Sequence, residues 1–281
     1  MHRTVRAAHR ALWLVFLAAP ATAQTSAEQS QDEAVGASVN YVFATDLGSG
    51  IYDLDGRTLQ VYRYNYEHDL RQARTAAPGI RFVLPVTAGF FDFNPLDVVS
   101  EGPPTRVDSI SLTPGFEFDY LLRDDWHLIP YARAGLSIAS SNVGGLLYGA
   151  GVRLERRGEW HGWDQFLRSE LSYAGVEYRQ EVPGDQFVRL RHGVDLTRGM
   201  GFRLRGREPE IGLYAIFDLI VDPPTAPVTD GRKHPIQAEF GVTLSSRPAL
   251  KIWRFDAPRI GFGYRLAGNL SSWRFVIGVP F

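Results

Sequence analysis

Thirty-one carboxylates and seven histidines are the groups with which this chain could do acid–base or nucleophilic chemistry, and there is no cysteine beside them. A strand-borne lipid hydrolase would need His-x-Ser, because a period of two puts both side chains on one face. None of the seven histidines has Ser two positions later. A carboxylate protease of the wall would need Asp-x-His beside an acidic pair, and Asp92 and Asp97 have no His at that spacing. His192 and Asp195 are three apart, so a regular strand points them to opposite sides. His127 adjoins the short Arg123–Asp125 turn and reads as a rim residue. Asp53-Leu54-Asp55-Gly56 has the start of a calcium loop, but Tyr64 stands where the twelfth-position Glu belongs. An Asp-Gly hairpin turn accounts for it. Gly199-Met200-Gly201 lacks the third glycine and the helix of a phosphate loop. No metal-ligand cluster or cofactor motif emerges, and no catalytic residue is assigned.

The informative polar residues are those that alternate with apolar ones. Residues 108–122 are the clearest case. Ile110, Leu112, Pro114, Phe116, Phe118, Tyr120 and Leu122 share one face, with Ser109, Ser111, Thr113, Gly115, Glu117 and Asp119 on the other. The same alternation recurs to the end of the chain and predicts roughly twelve strands. They lie near 37–46, 58–67, 79–93, 107–122, 126–139, 145–157, 163–178, 186–198, 208–221, 234–245, 257–267 and 270–281. Residues 197–209 could extend a strand or form a longer turn.

Such strands suit a soluble sandwich or a transmembrane barrel. Three features favour the barrel. The strands run to about 10–15 residues, where sandwich strands cluster near 5–6 and a tilted membrane strand needs about 9–11. The polar face is rich in Gly, Ser, Thr and Arg, and the only lysines are Lys233 and Lys251. Aromatics gather toward strand ends, at Tyr120, Trp126, Tyr148, Trp163, Tyr173, Tyr264 and Trp273, as interfacial girdles require.

In a barrel the polar face lines the lumen. Glu117, Asp119, Arg133, Arg153, Glu155, Arg168, Glu170, Arg189, Arg191, Asp195, Asp218, Glu239 and Arg265 fall on it. They could be salt-bridge ladders that hold the wall or a charged passage for polar solutes. The interleaved signs favour the ladders, because unpaired charge in a narrow interior is expensive.

Residues 1–23 read as a cleaved secretory signal: Arg3, Arg6 and Arg10, then an apolar run from Ala11 to Ala19, then Ala21-Thr22-Ala23. Cleavage after Ala23 shifts the formal charge from −1 to −4, since three arginines and no acid are lost. Residues 24–36 form a short polar segment without apolar periodicity, and 37–281 form the barrel. No apolar run reaches the ~20 residues of a spanning helix. The charge balance lacks the basic excess of a nucleic-acid binder. The absence of cysteine excludes a disulfide scaffold, a zinc ribbon and a lipid-acceptor site.

The chain ends Arg274-Phe275-Val276-Ile277-Gly278-Val279-Pro280-Phe281. Alternation through Phe275, Ile277 and Val279 to a terminal Phe281 resembles the last strand of Gram-negative outer-membrane barrels. Pro280 departs from that pattern by removing a ladder donor. Size and strand number make the chain most similar to solitary autotransporter-like outer-membrane barrels. The resemblance implies an outer-membrane location and contact with its lipid. It also implies a C-terminal strand read by the barrel-assembly machinery, with Phe281 in the outer girdle. No passenger is expected, because about a dozen residues separate the signal from the first strand. The resemblance supplies no catalytic residue and leaves the oligomeric state open. A structural wall or a narrow channel is the expected role, with a hydrolase built on loops as the alternative.

Overall fold

The computed structural model describes residues 49–54, 57–91, 109–123, 125–139, 144–178, 184–221, 235–249, 251–252, 255–256, 259–267 and 270–281. The signal, the polar segment and the expected strand at 37–46 lie outside the described residues.

Long alternating runs cannot satisfy their backbone groups alone, so each pairs with its sequence neighbour. The strands are β1 (Gly50–Leu54), β2 (Arg57–Arg71), β3 (Gly79–Phe91), β4 (Ser109–Leu112), β5 (Gly115–Leu121), β6 (Trp126–Ala139), β7 (Gly144–Trp160) and β8 (Trp163–Tyr178). They continue with β9 (Asp185–Gly199), β10 (Glu208–Val221), β11 (Ile236–Arg247), the two-residue β12 (Lys251–Ile252) and β13 (Phe255–Asp256), β14 (Ile260–Ala267) and β15 (Leu270–Ile277).

Every pairing is antiparallel. β4 and β5 are halves of one stave: both pair with β3 and β6, and in one continuous register. The break falls at Thr113-Pro114, where proline has no N–H to give the ladder. β12 and β13 form a separate small hairpin, which leaves twelve staves in the wall among the described residues. β1 lies alongside β15, so the sheet returns on itself.

Hairpin closures agree with the residues that make them. β7 and β8 meet through His161 and Gly162, both at positive φ, after the pair Trp160↔Trp163. Leu54 pairs with Arg57 where β1 meets β2, and the expected Asp55-Gly56 turn lies outside the described residues. The ambiguous stretch 197–209 resolves into the end of β9, a turn bridged at Leu204↔Arg207, and the start of β10.

Burial is inverted relative to a soluble protein. Phe116, Phe240 and Leu244 are 46%, 57% and 50% exposed, while Asp218 and Glu239 are 2% and 1% exposed. Water does not tolerate that arrangement over a whole wall, and a bilayer requires it. The chain is a transmembrane β-barrel.

The last strand departs from expectation. β15 ends at Ile277, and Gly278 takes φ 88°, a left-handed conformation that suits glycine. The chain bends inward there. Gly278 N–H donates to the Arg259 carbonyl at 2.7 Å, and an Arg274 guanidinium N–H donates to the Pro280 carbonyl at 2.6 Å. Phe281 therefore sits in the lumen and not in the outer girdle. Its ring stacks on Phe166 of β8 at 5.5 Å and 12°. A Cβ built on Gly193 of β9 would lie 2.9 Å from that ring, so the close approach needs glycine. Phe275, Ile277 and Val279 keep their expected outward alternation, with Ile277 and Val279 exposed.

Candidate functional site: the arginine-lined lumen

The period of two turns all thirteen expected lumen charges inward, and shared registers bring them into contact. One string runs from β3 to β8. Arg81 approaches Glu117 at 3.5 Å, Arg153 meets the other Glu117 oxygen at 2.5 Å, and Arg168 meets Glu155 at 2.8 Å. A second string runs on through Glu170, which accepts from Tyr131 at 2.6 Å and from Arg189 at 3.2 Å. Arg191 clasps Asp218 through both oxygens, at 2.6 and 2.9 Å. Arg265 meets Glu239 at 2.8 Å, and Arg274 reaches the same carboxylate at 3.0 Å. Tyr214 also donates to Glu239, at 2.8 Å.

Toward the rim that carries the 161–162 and 200–207 turns, Arg259 forks onto Asp195 with both bonds at 2.6 Å. His127 Nδ1 lies 2.8 Å from Asp119, in the rim position expected for it. Arg133 stands over the Tyr131 ring at 5.7 Å, and Arg153 lies 5.2 Å from the same ring. Bidentate guanidinium–carboxylate pairs in a site shielded from water are strong and geometrically exact. This arrangement holds a wall. Among the described lumen residues, none of these pairs sets a nucleophile beside a base.

Sequence reasoning missed several interior residues. Arg63, Arg259 and Arg274 face inward, and the alternation of their strands could have found them. Ile129, Leu147, Phe166, Phe187, Ile216, Ile220 and Val276 are buried on the same inner side. Tyr214, Ile216 and Val276 form an apolar cluster on which Phe281 packs. The lumen is thus partly filled by apolar side chains, whereas the alternation alone implies a polar one.

Sequence reasoning also passes over two contacts with catalytic vocabulary. Asp125-Trp126-His127 has Asp-x-His spacing, but Asp125 turns the chain at φ 63° and the imidazole meets Asp119 instead. Ser169 Oγ lies 2.9 Å from His192 Nδ1 across β8 and β9, on the outer face. A search along one strand cannot see a pair made by register. The neighbouring Glu170, Asp195 and Asp218 all point inward, so among the described residues no carboxylate stands beside the pair to orient the imidazole. It reads as two polar groups satisfying each other on an apolar wall.

No known protein family matches the chain, and no curated protein does. Solved structures similar in shape include the β domain of the Bordetella autotransporter BrkA, at 11% identity and TM-score 0.45, covering 81% of this chain and 93% of that one. The translocator domain of NalP from Neisseria meningitidis has 11% identity and TM-score 0.44, covering 91% and 97%. LpxR from Salmonella typhimurium has 11% identity and TM-score 0.38, covering 79% and 88%.

Proposed function

We propose that the chain is an outer-membrane barrel that serves as a structural wall or a narrow channel for small polar solutes. The secretory signal and the lipid-facing apolar belt support the location. The string of ion pairs across the lumen is the observation that carries the role. Twelve staves enclose an interior between that of filled eight-stranded barrels and open sixteen-stranded porins. Here guanidinium–carboxylate pairs line it and the Phe281 ring projects into it against Phe166.

The test is conductance in planar bilayers. The wild type should pass small or intermittent currents, far below those of a general porin. Replacing Arg133 and Arg153 with Ser should raise conductance or shift selectivity toward cations, because Glu117 and Glu155 lose positive neighbours. Porin-like currents from the wild type would show that the ion pairs do not obstruct the lumen.

The Ser169–His192 contact favours testing a second reading, an outer-membrane hydrolase. Refolded protein assayed with phospholipid and peptide substrates should show no turnover that Ser169→Ala abolishes. Turnover lost in that variant would instead make the pair catalytic.

A further inference from the structure

The β9–β10 hairpin runs past its neighbours at one rim of the barrel. β8 pairs no further than Asp164↔Thr197, and β11 no further than Arg247↔Glu208. The β9–β10 ladder itself stops at Gly199↔Glu210, and the chain goes on to a tip bridged at Leu204↔Arg207. Arg205 and Gly206 turn that tip at φ 51° and 78°. This rim also carries the two-residue closure at 161–162, and such short turns face the periplasm.

The hairpin is both basic and apolar. Residues 198–208 read Arg-Gly-Met-Gly-Phe-Arg-Leu-Arg-Gly-Arg-Glu, four arginines against one acid. Phe202 and Leu204 are 53% and 64% exposed, and Met200 is exposed beside them. Arg207 is engaged within the protein, donating to the Pro248 and Ala249 carbonyls. Glu208 accepts from the Gly201 N–H at 3.1 Å. Arg203 and Arg205 are exposed and meet no carboxylate among the described residues. Arg198 lies on the outer face of β9, with its guanidinium 6.0 Å from the centre of the Trp163 ring. Arg156 repeats that arrangement on β7, opposite Trp126 and 5.7 Å from its ring.

Tryptophans of a membrane barrel mark the level of the headgroups. The Arg198–Trp163 pair therefore places the base of the hairpin at that level. Large apolar side chains left in water are a liability, and next to a bilayer they are an anchor. A guanidinium fork matches a phosphate. Arginines interleaved with Phe202 and Leu204 thus complement a surface that is anionic outside and apolar beneath. The connection at 92–108, at the opposite rim, has the reverse charge in sequence, four acids against one arginine.

We propose that the 198–208 hairpin docks on anionic phospholipid of the periplasmic leaflet. Phe202 and Leu204 enter the headgroup region, and Arg198, Arg203 and Arg205 hold the lipid phosphates. This rests on the barrel reading above and adds the class of lipid and the segment that recognises it.

The test uses the absence of native cysteine. Refolded protein carrying Leu204→Cys, and separately Phe202→Cys, is labelled with an environment-sensitive fluorophore and placed in lipid nanodiscs, which leave both rims open. Discs of phosphatidylcholine are compared with discs that also hold phosphatidylglycerol. In the anionic discs the emission should shift to shorter wavelength, and quenching by acrylamide, a neutral solute, should fall about twofold or more. Changing Arg198, Arg203 and Arg205 together to Gln should abolish the difference, with the heat-sensitive gel band confirming a closed barrel. Inorganic phosphate at matched ionic strength should leave the label shielded, because a lipid surface and not a free ion holds the hairpin. Equal quenching in the two kinds of disc, a difference that survives the triple exchange, or release of the label by free phosphate overturns the proposal. The comparison of discs needs no arginine variant to fold. It reads no ion flow, so a silent conductance record would overturn the channel while leaving this docking standing.

Discussion

Glu239→Gln should destabilise the barrel more than any other single-atom exchange in the wall. Glu239 is 1% exposed and carries Arg265, Arg274 and the Tyr214 hydroxyl on its two oxygens. The amide keeps the shape but loses the charge, and whichever oxygen it replaces, it turns an N–H₂ toward one of the two guanidiniums. Breaking a buried pair from one side leaves uncompensated charge, at a cost of about 3–5 kcal/mol. Urea unfolding in micelles, read from the heat-sensitive gel mobility of the closed barrel, measures the loss. Arg247→Gln is the control. That side chain is 67% exposed and meets Asp164 and Glu210 at the rim, so its loss should cost about 0–1 kcal/mol. Equal stability of Glu239→Gln and wild type would show that the belt is not a structural brace.

Removing Phe281 should both loosen and open the barrel. The ring leaves β15 and crosses to Phe166 and Gly193, with the Arg168 guanidinium 5.7 Å from its centroid. Phe281→Ala should cost about 3 kcal/mol and raise single-channel conductance several-fold. A double-mutant cycle with Phe166→Ala should show a coupling of about 0.5–1.5 kcal/mol, the range for stacked rings. A terminal Phe in the outer girdle, as the resemblance implies, would give no coupling to a lumen residue. Phe281→Asp should lower folded yield, now through loss of this stacking.

The strands were legible because lipid on one side and charge on the other impose a strict period. Residues 163–178 and 208–221 are strands end to end as the alternation predicts. The lumen-facing charges follow from parity alone. What parity cannot supply is distance across the barrel. The Ser169–His192 contact and the Arg259–Asp195 fork depend on register and closure, which join residues far apart in the chain. The inward turn at Gly278 was hidden for a different reason. Residues 275, 277, 279 and 281 keep the alternation in type, and one left-handed glycine redirects the last of them. Apolar residues on the inner face, such as Phe166 and Ile216, blurred the signal further, because a filled lumen needs packing as well as charge.

The central claim is that one face of each strand meets lipid while the other meets the ion-paired lumen. With no native cysteine, single cysteines placed along 236–244 can each carry a spin label without background. Relaxation by oxygen, which concentrates in the bilayer, and by a water-soluble nickel chelate is then measured in reconstituted vesicles. Labels at Ile236, Ala238, Phe240, Val242 and Leu244 should be accessible to oxygen and shielded from the chelate. Labels at Gln237, Gly241 and Thr243 should reverse that preference or be shielded from both. Uniform access to the chelate on both faces would contradict the barrel.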